Sequence, residues 1–336
     1  MTFPLGKLPP DLVAEYARRF APDDPRVLLG PGVGLDCAVI DFGDRVLVAK
    51  TDPITFTSGR IGWYAVQVNA NDVATTGAQP SWFLVTALLP EAATDRQVID
   101  EIFGQIDAAC HALGATFVGG HTEVTAGLRR PILVGTMFGE VSHDRLVTPR
   151  GAKPGDVILL TKWIPIEATS ILGAEFADRL SSIPPEDLAW ARDVLDDPGI
   201  SIVREAQLAV DAGGVTAMHD PTESGLAGGV WEMAEAAGVG IEIEQDRIPI
   251  AEISQSMCEV LDVDPLSAIA SGSLLITARP EAAGSIEAVL QEEGIAVTRI
   301  GRVIDGKGVT VIVDGKSHPL ARPPRDSIAR LFESAD

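Results

Sequence analysis

The chain has 336 residues, with 48 Asp and Glu against 26 Lys and Arg and a formal charge of −22. So acidic a surface repels phosphate backbones and anionic lipid, which argues against nucleic acid and membrane as partners; to hold an anionic nucleotide it needs a divalent cation between them. The length predicts two domains of about 150 residues, 1–150 and 151–336, each able to bury its own core.

From the amino terminus, the first ten residues lack the charged stretch and long apolar run of an export signal. No window approaches the roughly 18 apolar residues of a membrane span, so a soluble, cytoplasmic protein is expected. Residues 11–20 predict a short helix with Leu12, Val13, Tyr16 and Phe20 on one face. The glycine-rich stretch Gly30-Pro31-Gly32-Val33-Gly34 leads to Asp36, and strands over 38–42 and 45–49 flank a hairpin turn at Gly43-Asp44. Lys50-Thr51-Asp52-Pro53 follows. A helix over 62–76 carries Asn71 and Asp72, and Gly77-Ala78-Gln79-Pro80 stops it.

A strand over 82–89 comes next, then a helix over 95–113 with Val98, Ile99, Ile102, Ile106 and Ala109 in helical period and Gly114 as its stop. Strands over 115–118 and 132–141 bracket a predicted loop, Gly119-Gly120-His121-Thr122-Glu123. This half reads as α+β, with mixed strands and long helices on one face.

Residues 149–156, rich in Pro, Gly and charge, form the expected boundary. Beyond it, strands are predicted over 157–161, 240–244, 273–278, 296–302 and 309–313. Helices are predicted over 184–194, 201–212, 226–237 and 281–293. The loop His219-Asp220-Pro221-Thr222-Glu223-Ser224-Gly225 enters the helix at 226, with Thr222 or Ser224 available as N-cap.

Four acids, Asp36, Asp52, Asp72 and Glu123, lie at the ends of apolar runs or on a helix, so their segments could converge at one edge. Gathered carboxylates suit Mg2+ bridging nucleotide phosphates; equally, each is a residue type common in turns and caps. The glycines at 30–34 and 119–120 either let backbone N–H groups approach phosphate or simply make turns. Neither stretch matches the lysine-containing phosphate loop or a dinucleotide fingerprint.

The helix start after Asp220 offers N–H groups to a phosphate or carboxylate, or is a plain cap. His121 and His219, each beside an acid, are candidates for proton transfer or for structural roles, and Lys50 offers a point charge to phosphate. Cys37, Cys110 and Cys258 stand too far apart for a zinc site or disulfide framework and are expected in the core of a protein from a reducing compartment.

Taken in order, these segments resemble the family of aminoimidazole ribonucleotide synthetase (PurM), hydrogenase-maturation carbamoyl dehydratase (HypE), thiamine-monophosphate kinase and selenophosphate synthetase. Gly34-Leu35-Asp36-Cys37-Ala38-Val39 is similar to the family's Gly-Asp-Asp-Ala-Ala-Val, and Thr51-Asp52 to its Thr-Asp. Asn71-Asp72 with Gly77-Ala78-Gln79-Pro80 is similar to its Asn-Asp and Gly-Ala-x-Pro, and Gly119 to Thr122 to Gly-Gly-Asp/Glu-Thr. Asp220 to Ala227 resembles HypE's Asp-x-Thr-Arg-Gly-Gly-Leu-Ala. The HypE branch is nearest, through Gly238 to Ile243 and Asp264-Pro265-Leu266.

The resemblance implies a two-domain PurM-like fold, α+β / α/β, whose amino-terminal mixed-sheet domain pairs strands across a homodimer and whose carboxy-terminal domain is an α/β sandwich. It implies ATP near that interface and Mg2+ on Asp36, Asp52 and Asp72, with Asn71 as a neighbouring polar contact. Lys50, Gly119 and Gly120 join the nucleotide side, and His121, Glu123, Asp220 and Thr222 face a small-molecule acceptor. The implied activity is ATP- and Mg2+-dependent phosphorylation, or activation, of an acceptor oxygen. Two alternatives stand beside it: a nucleotide-binding accessory of hydrogenase metallocentre maturation acting through a partner protein, or a true aminoimidazole ribonucleotide synthetase or thiamine-monophosphate kinase.

The chain also departs from the family pattern. Leu35 stands for the first Asp of its pair, His121 for an acid, and Glu223-Ser224 for Arg-Gly. The ending Leu331-Phe332-Glu333-Ser334-Ala335-Asp336 replaces HypE's Pro-Arg-x-Cys, so dehydration of a carbamoyl group on a tail thiol is not expected. No early Cys followed by Lys appears, which argues against selenophosphate synthesis.

Overall fold

A computed structural model describes residues 6–55 and 59–333. The chain divides into two compact units: Ala21–Pro31 with Leu35–Leu146 form one, and the other holds the remainder, including Gly32–Gly34 and everything from Val147 onward. The carboxy-terminal Ser334-Ala335-Asp336, part of the ending compared above with a cysteine tail, lies outside the described residues. Helix α1 (Pro10–Arg19) opens the described chain and belongs to the larger unit.

The smaller unit runs β1 (Val27–Leu29), β2 (Ala38–Asp41), β3 (Val46–Ile54), α2 (Ile61–Ala74), β4 (Gln79–Pro90), α3 (Arg96–Leu113), β5 (Thr116–Thr125) and β6 (Ile132–Val141). Its six strands lie in the order β1-β2-β3-β6-β4-β5, antiparallel except for β4 beside β5. Burial alternates along β6, where Leu133, Met137 and Val141 point inward, and along β4 through Phe83, Val85, Ala87 and Leu89. Helix α2 is buried on nearly every side because it packs on β3 and β6 and also against α3. A side chain on Gly135 of β6 would run into the Asn69 amide, so that glycine lets the helix seat closely. Helix α3 starts as expected, with the Asp95 carboxylate accepting from Val98 N (2.9 Å), and stops at left-handed Gly114.

One sequence expectation is overturned here. Gly119 to Glu123 is not a loop but the middle of edge strand β5. The glycines there are a packing device, since a Cβ on Gly120 would run into the Val85 backbone of the neighbouring strand. Paired glycines read as a chain breaker, whereas they admit close strand pairing beside an irregularity at Val118.

The larger unit continues with β7 (Val157–Thr161), α4 (Ile166–Glu175), α5 (Pro185–Asp193), α6 (Val203–Ala212), β8 (Val215–His219) and α7 (Gly225–Ala237). Next come β9 (Gly240–Glu244), α8 (Glu252–Leu261), β10 (Leu275–Ala278) and α9 (Pro280–Glu292). The last elements are β11 (Val297–Ile304), β12 (Gly308–Val313), β13 (Lys316–Pro319) and α10 (Ala329–Glu333). Seven strands form a mixed sheet in the order β13-β12-β9-β11-β7-β10-β8. Leu226, Val230 and Met233 of α7 pack on Ile158, Leu160, Ile241, Leu275 and Ile300 of the sheet. A second core joins Ala168 and Leu172 of α4 to Met257, Cys258 and Leu261 of α8 and to Ile328 and Leu331 near the carboxy terminus. Two mixed sheets with packed helices make this the two-domain α/β architecture that the sequence implied. Among the described residues no helix is long and apolar enough to cross a membrane.

Candidate functional site

Strand period places Lys50 and Asp52 on the same face of β3 as buried Val46, Val48 and Ile54, the face that α2 covers. β2 pairs with β3 only as far as Ala49, so beyond that point one edge of β3 is open. Asn69 of α2 takes up that edge: its Oδ1 accepts from Asp52 N (2.9 Å), and its Nδ2 donates to Ala65 O (2.8 Å). One turn further along the helix, Asp72 reaches the same point.

The Lys50 ammonium stands 3.1 Å from Asp72 Oδ2 and 3.3 Å from Asp52 Oδ2. Its side chain is 9% exposed and that of Asp72 5%, while Asp52 keeps 36% of its surface open to solvent. Burial pulls the lysine towards neutrality, but Asp72, Asp52 and Asp36, with Cys37, outweigh it and raise the ammonium well above the ordinary lysine range. Lys50 is thus a fixed cation among these carboxyl groups. Cys37 donates through Sγ to Asp72 O (3.3 Å), and Asn71 is fully buried beside it. The donor set is all oxygen and keeps a net negative charge after Lys50 is counted, which fits a hard divalent cation such as Mg2+.

His121 and Glu123 stand apart from this cluster. They share the outer edge strand, both exposed, with His121 Nε2 3.5 Å from Glu123 Oε2. Asp52 registers with Gly135, Gly135 with Val85, and Val85 with Gly120, so β5 lies three strands from β3, about 14 Å at normal strand spacing. Within one chain, Glu123 therefore does not converge with Asp36, Asp52 and Asp72.

In the larger unit, β8 delivers His219 and Asp220 to a buried turn, where both are at most 3% exposed. His219 Nε2 is 3.2 Å from Glu232 Oε2 of α7, and Arg322 Nη2 stands 3.2 Å from the other oxygen of Glu232. The expected cap is replaced: Ser224 holds the N-cap position in a left-handed conformation (φ 68°) with no side-chain cap bond, and Asp326 Oδ2 accepts its backbone N–H instead (2.8 Å). Thr222 contributes its carbonyl, which accepts from Gly225 N (3.0 Å) and Ala270 N (3.2 Å); Ala227 N donates to Leu266 O (2.8 Å). The carboxyl group that meets this helix start is the chain's own Asp326.

Sequence reasoning missed the positions of Asn69, Glu232 and Asp326 in this chemistry. Asn69 had a signal, since it lies three residues before Asp72 on one helical face. Asp326 had none, because only the tertiary path of the chain returns it to residue 224.

A family model described as AIR synthase related protein, N-terminal domain, matches residues 34–141, and its C-terminal counterpart matches residues 153–314. The chain is 30% identical over 275 residues to a putative hydrogenase expression/formation protein of Methanocaldococcus jannaschii, covering 78% of this chain and 77% of that one. It is 29% identical over 256 residues to the carbamoyl dehydratase HypE of Rhodobacter capsulatus, covering 75% and 72%. In structure it is similar to hydrogenase maturation protein HypE solved in complex with ATP, with a TM-score of 0.72, 24% identity and 93% of each chain covered.

Proposed function

The chain belongs to the family of AIR synthase related proteins, and on that premise we propose that it is an enzyme that uses ATP with Mg2+ to phosphorylate, and so activate, an oxygen of a small acceptor. The carrying observation is the gathering of Asp36, Asp52 and Asp72 about the buried ammonium of Lys50. In this role the three carboxylates hold Mg2+, which when bound neutralises charge on the phosphate oxygens of ATP. Lys50 sits between the carboxylates and offers its charge to phosphate, Asn69 fixes the Asp52 backbone, and Asn71 packs beside Asp72. Asp220 and Thr222 belong to the acceptor side.

The reading extends to a homodimer. Among the described residues β5 has no partner strand on one edge and exposes Val118 and Val124, and such an edge would be covered if a second copy paired with it. His121 and Glu123 would then act at that interface. The relatives' names support a setting in hydrogenase maturation, where a maturation protein would be the partner, and three buried free cysteines fit a cytoplasmic location.

The test is ADP release from ATP, with and without Mg2+, alone and with candidate hydroxyl or carboxamide acceptors. Saturable, Mg2+-dependent turnover is expected. Saturable binding with no turnover under any condition would replace the enzyme by the accessory role, and no binding at all would end both.

A further inference from the structure

A cleft of about 280 Å3 lies in the smaller unit, and none of the residues assigned above to ATP or to the acceptor lines it. Buried Ile61, Pro90 and Ile102 give it an apolar floor, with half-buried Val98 and Pro131 beside them. Its exposed charges are Arg129, Arg130 and Glu101. Two guanidinium groups thus stand against one carboxylate in a chain of 48 Asp and Glu and 26 Lys and Arg, so this rim reverses the sign of the protein as a whole. Among the described residues no ion pair or hydrogen bond engages the Arg129 guanidinium.

The walls of the cleft are fixed by hydrogen bonds and close packing. Gln105 of α3 joins two of them: its Oε1 accepts from Gly62 N at the start of α2 (3.0 Å), and its Nε2 donates to Glu101 Oε1 (3.3 Å). A Cβ on Gly62 would run into Ile102 O, so α2 starts directly on α3. Glu91 N donates to Thr125 O (3.3 Å) and the Thr94 hydroxyl to Pro90 O (2.7 Å), which ties the turn between β4 and α3 to the end of β5. Arg129 and Arg130 follow that strand, in the turn before β6. Folding gains little from an unpaired guanidinium beside an apolar hollow, because the charge stays hydrated and the hollow forfeits contacts.

We propose that this cleft binds a small organic monocarboxylate, its apolar body on Ile61, Val98 and Ile102 and its carboxylate on the Arg129 guanidinium. The planar fork of a guanidinium matches the two oxygens of a carboxylate. Size sets one bound: ligand clefts run from roughly 300 to 1,000 Å3, so a hollow of about 280 Å3 takes a small molecule and not a nucleotide. Charge sets the other. With Glu101 on the same rim as the two arginines, the balance suits a single negative charge and disfavours a phosphate dianion. Every residue of the cleft belongs to the smaller unit, and the site stands whether or not the chain turns over ATP.

The test is a calorimetric titration of the full chain with phenylacetate, which carries a ring for the floor and one carboxylate for the rim. Saturable binding is expected, with a dissociation constant on the order of a millimolar. The uncharged phenylacetamide should bind at least about tenfold more weakly, and Arg129→Gln should weaken phenylacetate by a similar factor. Ala93→Phe fills the hollow from an exposed position and should abolish binding in a folded protein. Inorganic phosphate should not compete. No saturation by phenylacetate in the wild type, equal binding of phenylacetamide, or unchanged affinity in folded Arg129→Gln or Ala93→Phe overturns the proposal; competition by phosphate overturns the preference for a monocarboxylate.

Discussion

In the smaller unit Asp36, Asp52 and Asp72 surround an ammonium group; in the larger unit Glu167, Glu223 and Asp326 crowd together and, among the described residues, no base acts on Glu167 or Asp326. The same residue types therefore meet different fates. With Lys50 among them the carboxylates have a built-in counter-charge at 3.1 and 3.3 Å and can be shared with a metal ion. Without such a partner, burial and mutual repulsion favour the neutral acid, and the group becomes a store of protons. Which chemistry an acidic cluster performs is set by whether a cation is built into it.

The largest expected effect comes from removing that cation. Lys50→Met should leave Asp72 and Asp52 facing each other uncompensated and cost about 3–5 kcal/mol in urea unfolding at pH 7. Millimolar Mg2+ should restore part of the loss. A variant as stable as the wild type, with no response to Mg2+, would break the contrast.

A smaller effect sharpens the other side of the comparison. The Glu167 carboxyl is raised from 4.5 to about 7, so the folded protein binds more protons than the unfolded chain between those values. Stability from this group is fully present at low pH, falls as pH rises through that window, and is lost above it, by up to about 3 kcal/mol. Glu167→Gln should remove that slope and leave the variant more stable than the wild type at pH 8. Equal slopes in the two proteins would show that Glu167 is not held neutral.

How far the sequence revealed these clusters follows from how local each one is. The predicted strand over 45–49 stops short of Lys50 and Asp52, which the structure includes in Val46–Ile54, whereas Asp72 was legible on a helix bounded by a glycine-proline stop. The helix over 95–113 with its Gly114 stop was legible from its apolar period, while the Asp95 cap is seen only in the structure. Gly119-Gly120 misled because glycine pairs serve turns and close strand contacts alike, and only the neighbouring Val85 decides between them. Helix α4, buried almost all round, shows no amphipathic period, which hid Glu167 as well. Asp326 and Glu167 meet only because the folded chain ties residues 266–271 to two helix starts, and no local pattern encodes that.

The central claim is that Asp36, Asp52 and Asp72, gathered about Lys50, bind Mg-ATP. Calorimetric titration of Mg-ATP into Asp72→Asn measures it most directly, because the substitution keeps shape and removes one ligand charge. The account predicts a folded variant whose affinity falls at least about tenfold, a loss of about 1.4 kcal/mol or more; a folded variant with wild-type affinity would contradict it.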